Sequence, residues 1–210
     1  VISMSDVSYV EVWNLVLDGS EAGGPIATGV DVEMSGETAV EGIEIHWTAV
    51  QKSFDTGYWI HEPTLSNGPG VWGGYFYALW ALDISTIGFR VDGNVATFAT
   101  ANSSEVYSHY GLSLVWTDFR RIGGACGQFQ SVEYGYASQL MFEACGLNAG
   151  SQQPGSPPAD FFTFQKCYSP TATDNVFIGP GLPLSASGQN GLRFINSPAA
   201  RAYANYFQDI

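Results

Sequence analysis

Three histidines, three cysteines and the 20 aspartates and glutamates are the residues best placed for acid–base, nucleophilic or metal chemistry in this 210-residue chain. His46, His61 and His109 are isolated, with no HxxxH or HExxH pair, so their spacing suggests no zinc or iron site. Cys126, Cys145 and Cys167 contain no CxxC pair, which argues against a zinc knuckle. Their odd number leaves open one bridge with one free thiol, or three buried thiols. No GxSxG elbow, Walker loop or GxGxxG fingerprint occurs. A glycosidase pair of carboxylates comes together only in the fold, so the acids nominate no particular pair. The expectation is therefore no catalytic residue, no cofactor and no metal.

Recognition chemistry has better candidates. Tyr58-Trp59 and the run Trp72-Gly73-Gly74-Tyr75-Phe76-Tyr77 lie in or beside turn-forming residues. Exposed Trp and Tyr in such settings grip sugars or protein partners, although most of the 14% aromatic residues must fill the core. In the stretch 67–75, Asn67, Gly68, Pro69 and Gly70 shape a loop, and Trp72 and Tyr75 offer large contact area at low entropy cost. In 117–121, Asp118, Arg120 and Arg121 place paired arginines beside an acid. Guanidinium forks suit carboxylates, including that of sialic acid, and equally suit internal salt bridges in an acid-rich chain. Trp72, Tyr75, Asp118, Arg120 and Arg121 are thus the candidate receptor-binding residues.

Gly124-Ala125-Cys126-Gly127 resembles the Gly-x-Cys-Gly nucleophile loop of chymotrypsin-like viral cysteine proteases. In that family the glycines let backbone N–H groups face the developing oxyanion. The order His46 or His61, then Asp83 or Asp92, then Cys126 matches the family's His–acid–Cys order. The resemblance covers four residues, and the glycine-flanked histidine that such proteases carry downstream is missing from 128–146. The alternative is a turn that holds a buried cysteine. A cysteine protease using Cys126 is therefore the alternative to a non-enzymatic reading.

The elements that must position these residues read as strands. Ile43-Glu44-Ile45-His46-Trp47 alternates, with both isoleucines and Trp47 on one face and Glu44 and His46 on the other; Gly29 to Met34 alternates likewise. Phe89-Arg90-Val91, Asp92-Gly93 and 94–98 read as a hairpin with a tight Asp-Gly turn. Short helices are expected at 137–145, capped by Gly146, and at 197–203, opened by Ser197-Pro198. No internal repeat is apparent. With 25 glycines and 10 prolines, the pattern implies an all-β chain, an antiparallel β-sandwich or compact β-barrel with at most short helices. One domain is expected over 1–210, with a long surface loop at 150–158.

Composition limits the partners. The net charge is −13 and Lys52 and Lys166 are the only lysines, so nothing resembles the clustered cations that bind nucleic acid or anionic membrane. The longest apolar run, 71–82, falls short of the roughly 20 residues needed to cross a bilayer. The start, Val1-Ile2-Ser3-Met4-Ser5-Asp6, has no basic region or initiator Met and suggests a piece of a longer precursor. Asn102-Ser103-Ser104 is one glycosylation sequon.

The chain also resembles the projecting spike domains of small non-enveloped viruses, astroviruses and hepatitis E-type viruses in particular. The resemblance rests on the start at Val1, the run Tyr9-Val10-Glu11-Val12-Trp13, the stretch Gly24-Pro25-Ile26-Ala27-Thr28-Gly29-Val30-Asp31-Val32-Glu33-Met34, few lysines and a length near 200. It implies a sandwich- or barrel-like core, a virion-surface location, self-association as a homodimer, recognition by antibodies and attachment to a host receptor, protein or glycan. A secreted carbohydrate-binding β-sandwich is a further alternative.

Overall fold

Val12, Ile45, Phe76 and Leu114 each sit at the centre of a three-residue strand and lie side by side in register. The residues that flank them, polar or aromatic except for Val115, take the outward face, as the two-residue period of a strand requires. The strands that carry them are parallel, and the same arrangement recurs along the chain. The computed structural model describes residues 1–34, 39–62, 70–93, 108–146, 160–179 and 190–208.

The chain winds through successive rungs. The first holds β1 (Ile2–Ser5), β2 (Glu11–Trp13) and β3 (Val16–Asp18). The second holds β4 (Ile26–Glu33), β5 (Val40–Glu41), β6 (Glu44–His46) and β7 (Ala49–Gln51). The third holds β8 (Phe54–His61), β9 (Val71–Trp72), β10 (Tyr75–Tyr77) and β11 (Trp80–Leu82). Next come β12 (Ile87–Asp92), β13 (His109–Tyr110), β14 (Ser113–Val115) and β15 (Asp118–Ile122). They are followed by β16 (Gly127–Gln130), β17 (Val132–Glu133), β18 (Tyr136–Ser138) and β19 (Met141–Cys145). The last rungs are β20 (Phe162–Gln165), β21 (Thr171–Thr173) and β22 (Val176–Ile178), then β23 (Leu192–Ile195), β24 (Arg201–Tyr203) and β25 (Tyr206–Gln208).

Like strands stack into three parallel sheets, each seven strands deep, and a fourth of four strands. Sheet A runs β1-β4-β8-β12-β16-β20-β23, sheet B β2-β6-β10-β14-β18-β21-β24, sheet C β3-β7-β11-β15-β19-β22-β25, and sheet D β5-β9-β13-β17. The fold is a parallel β-solenoid, and among the described residues there is no helix. It overturns the antiparallel sandwich or barrel that the sequence suggested. Alternation reports which residues face a core but not which strand lies alongside, and here every partner belongs to the neighbouring rung.

The interior is a set of ladders. Phe119, Phe142, Phe177 and Phe207 stack nearly flat along sheet C, with ring centroids 5.4, 4.6 and 4.8 Å apart. Along sheet A, Phe129 meets Phe164 edge-to-face and Phe164 stacks on Phe194. Offset-stacked rings at such distances add attraction beyond area burial.

The corner between sheets B and C is built alike in every rung. Asn14, Trp47, Ala78, Trp116, Gln139, Asp174 and Ala204 occupy it, all with φ between 48° and 62°. In four of these rungs the next residue staples the corner. The Thr48 and Thr117 hydroxyls donate to the carbonyls of His46 and Val115. Asn175 donates to the Ala137 carbonyl and accepts from the Leu140 N–H, and Asn205 donates to the Ala172 carbonyl.

Four local expectations change with the fold. The segment 137–145 forms β18 and β19, and 197–203 ends in β24, so neither is a helix. Phe89, Arg90 and Val91 pair in parallel with β8 on one edge and β16 on the other, leaving no edge for a hairpin partner. The expected return strand at 94–98 lies outside the described residues, as do the sequon at Asn102 and the expected loop at 150–158. Trp47 leaves the core face of Ile43 and Ile45, because its left-handed backbone turns it outward.

Candidate recognition surface

That corner places tryptophans where solvent can reach them. Trp47 and Trp116 project from it two rungs apart and are 46% and 54% exposed, while the corner residue between them is the buried Ala78. The two indoles lean together over this small residue, with centroids 6.2 Å apart. Trp80 lies 6.0 Å from Trp47, and Tyr77 packs at 5.8 Å from Trp47 and 5.5 Å from Trp116. Trp47, Ala78, Trp80, Trp116, Thr117, Asp118, Arg120, Gln139 and Met141 line a cleft of about 320 Å³.

Its polar side is one ion pair. Arg120 Nε donates to both Asp118 oxygens at 2.9 Å, and its Nη2 lies 2.6 Å from Asp118 Oδ2 and 3.8 Å from the Met141 sulfur. Glu143 adds a longer contact at 3.6 Å. These carboxylates raise the pKa of the Arg120 guanidinium, the hydrogen bonds that it donates to Asp118 most of all. Among the described residues its Nη1 has no hydrogen-bond partner, so the group is oriented while keeping donors for a ligand.

Of the residues nominated from sequence, Asp118 and Arg120 line the cleft. Arg121 does not; its guanidinium forms a two-pronged ion pair with Asp83. Tyr75 joins the edge of the aromatic surface, stacked on Tyr77 at 5.9 Å and edge-on to His46 at 5.7 Å. Trp72 belongs to a separate ladder with Tyr110, Tyr134 and Tyr168, at successive distances of 6.5, 5.5 and 6.1 Å. Both Trp72 and Tyr75 stand on strands rather than in the expected loop, and Asn67, Gly68 and Pro69 lie outside the described residues. Sequence reasoning missed Trp47, Trp80 and Trp116 as a group. The available signal was an apolar strand, two corner residues and another strand, repeated in 43–51, 74–82 and 112–120.

The protease constellation is not assembled. Cys126 is bonded to Cys145 and both are buried, so its sulfur is not a thiolate nucleophile. His46 lies 3.0 Å from Glu44, and Asp83 pairs with Arg121. Cys167 is the free thiol, and burial pushes it up to about 12. His109 is a structural residue. Its Nδ1 accepts from the Val71 N–H and its Nε2–H donates to the Asp92 carbonyl, while burial holds it down to about 4 and therefore neutral.

Among the described residues two sets could hold a cation, Glu11 with Glu44 and His46, and Asp31 with Glu33 and His61. In the second, His61 Nε2 lies 2.8 Å from Asp31 and Trp59 stacks on the ring at 3.8 Å. Sequence spacing hid both, because the third member of each, Glu11 or His61, comes from a neighbouring rung. No family model, curated protein or solved structure matches this chain.

Proposed function

We propose that the protein is a non-enzymatic recognition module that binds a glycan in the cleft of Trp47, Trp80 and Trp116. The observation that carries this reading is the pair of exposed indoles closing over Ala78, with the Asp118–Arg120 pair beside them. Indole faces take up the apolar C–H faces of a pyranose ring, and fixed polar groups at the rim hydrogen-bond its hydroxyls. Aromatic cages also bind quaternary ammonium groups. Here the polar side is a neutralised ion pair with donors to offer, which favours a hydroxyl-rich ligand.

The buried Cys126–Cys145 bridge supports display in an oxidising, extracellular setting. Attachment of a virion to host glycans is one such setting, and the spike-like character of the sequence is what supports it. The test is a glycan array probed with the parent chain and with Trp116→Ala and Trp47→Ala, each checked for an unchanged circular dichroism spectrum. The parent should select a glycan class, and each variant should lose at least about tenfold in affinity, the equivalent of one lost stacking contact. A parent that binds nothing on the array, or folded variants that bind as it does, would sink the reading.

A further inference from the structure

A second aromatic surface follows the outward side of sheet D. In register along it stand Glu41, Trp72, Tyr110, Glu133 and Tyr168. Tyr134 occupies the corner just after Glu133, with a φ of 55°. Gly42, Gly73 and Gly111 hold this corner in the three rungs before, at φ of 64°, 71° and 64°, and Ser169 holds it in the next. A left-handed backbone position favours glycine. Here it carries a large ring between two small residues. A Cβ at Gly111 would meet nothing within 4 Å, so the space beside Tyr134 is open.

The rings form walls. Tyr134 stands edge-on to Tyr110 at 5.5 Å and 85°, and to Tyr168 at 6.1 Å and 78°. Tyr110 and Tyr168 lie on either side of Glu133, one rung away each. Strands stack at about 4.8 Å, so a group held midway lies about 5 Å from both, inside the ~6 Å reach of a cation–π contact. Tyr110, Tyr134 and Tyr168 are 49%, 47% and 38% exposed, so solvent reaches all three.

The acid at the centre sets the sign of the ligand. Further along the row, the Glu41 carboxylate accepts from the Tyr9 hydroxyl. Glu133 is half-buried, and among the described residues its carboxylate takes neither a hydrogen bond nor an ion pair. Its charge reaches the rings: partial desolvation first, then Glu133, with Tyr110 and Tyr168, raise the pKa of the Tyr134 hydroxyl. The tryptophan cleft is the reverse case, because Arg120 neutralises its acid. An unneutralised carboxylate among aromatic rings favours a cation. A bare ammonium holds its water tightly, whereas a trimethylammonium group turns methyls to the rings and needs no hydrogen-bond acceptor.

We propose that Tyr110, Tyr134 and Tyr168 form a cage over Glu133 that binds the trimethylammonium group of a choline-type ligand. The cage lies at the corner of sheets D and B, apart from the tryptophan cleft at the corner of sheets B and C.

An NMR titration of choline with the full 210-residue chain, following the N-methyl proton signal, tests this. The signal should shift saturably. The uncharged carbon isostere of choline should bind at least about tenfold more weakly, because the attraction to the rings and to Glu133 goes with the charge. Glu133→Gln and Tyr134→Ala should each weaken choline binding at least about threefold, while Tyr134→Phe, which keeps the ring, should bind as the parent does. Circular dichroism checks each fold, and the isosteric Glu133→Gln keeps the test decisive if Tyr134→Ala does not fold. Phosphatidylcholine vesicles separate two sources of the group. Co-sedimentation that Glu133→Gln abolishes assigns it to a lipid headgroup, and binding of choline without co-sedimentation assigns it to a free solute; both support the cage. Binding of neither choline nor vesicles, an isostere that binds as well as choline, or a Glu133→Gln variant that binds like the parent would overturn the proposal. Choline binding that Trp116→Ala removes and a folded Tyr134→Ala retains would place the cation in the other cleft and overturn it too.

Discussion

At the scale of single residues, backbone conformation and close approach decide more than side-chain type. Trp47 shows this. Alternation places it with Ile43 and Ile45, but its φ of 49° turns the indole to solvent and makes it a cleft residue. Gly93 shows it differently. The sequence suggests a turn glycine with positive φ, and in the structure it is a contact glycine. A Cβ there would lie 2.7 Å from Ser131 Cβ and 2.8 Å from Ser108 Cβ. Gly93→Val is expected to lose on the order of 2 kcal/mol in urea unfolding by this overpacking. A midpoint equal to the parent's would mean that the neighbouring rungs have room.

A buried and a half-buried acid–base group oppose each other in pH dependence. His109 is held down to about 4 against an ordinary 6.5, so the unfolded chain gains a proton first and stability falls as pH drops from 6.5 towards 4. Burial pushes Glu62 up to about 7 against an ordinary 4.5, outweighing the smaller opposing effect of the nearby Ser108. It takes its proton earlier in the fold than in the unfolded chain, so stability rises as pH drops from 7 towards 4.5. Glu62→Gln removes the second effect. The variant should lose stability more steeply than the parent between pH 6.5 and 4.5, and equal slopes would contradict the assignment.

At the scale of elements, the sequence makes strand character legible and hides strand partnership. The alternation in 43–47 and the apolar run 71–82 do mark strands. The repeat was hidden because the interval between equivalent residues varies. It is 38 residues from Val71 to His109, 23 from Ser108 to Ser131 and 30 from Asp160 to Asn190. A period search looks for one value, whereas here chain of different length joins strands of constant register. The segment 137–145 misled for a related reason: Ala, Leu, Met and Glu favour helices in isolation, but Ala137 and Phe142 are claimed by ladders on both sides. Phe142 stacks between Phe119 and Phe177, so Phe142→Ala opens a gap in two stacks at once. About 3–5 kcal/mol should be lost in denaturant unfolding. A loss under about 1 kcal/mol would show that the ladder collapses around the gap.

At the scale of the whole molecule, the solenoid turns distant sequence into adjacent surface, and this is why the cleft was only half legible. Asp118 and Arg120 stood out as charge in a lysine-poor chain. Trp47, Trp80 and Trp116 come from three rungs, and nothing local links them. The same winding brings Cys126 to Cys145 and leaves Cys167 inside. Iodoacetamide should therefore label no cysteine in the folded protein and Cys167 alone in the unfolded, unreduced protein. Labelling of Cys126 under either condition would refute the bridge.

The central claim is that recognition occurs at the corner of sheets B and C. The six tryptophans make it directly testable, because their indole N–H signals can be resolved by nitrogen-15 NMR and assigned with Trp→Phe variants. On titration with the array-selected oligosaccharide, the signals of Trp47, Trp80 and Trp116 should shift together and saturably, while those of Trp13 and Trp59 stay in place. Saturable shifts confined to Trp13, Trp59 or Trp72, with Trp47, Trp80 and Trp116 unmoved, would contradict the account.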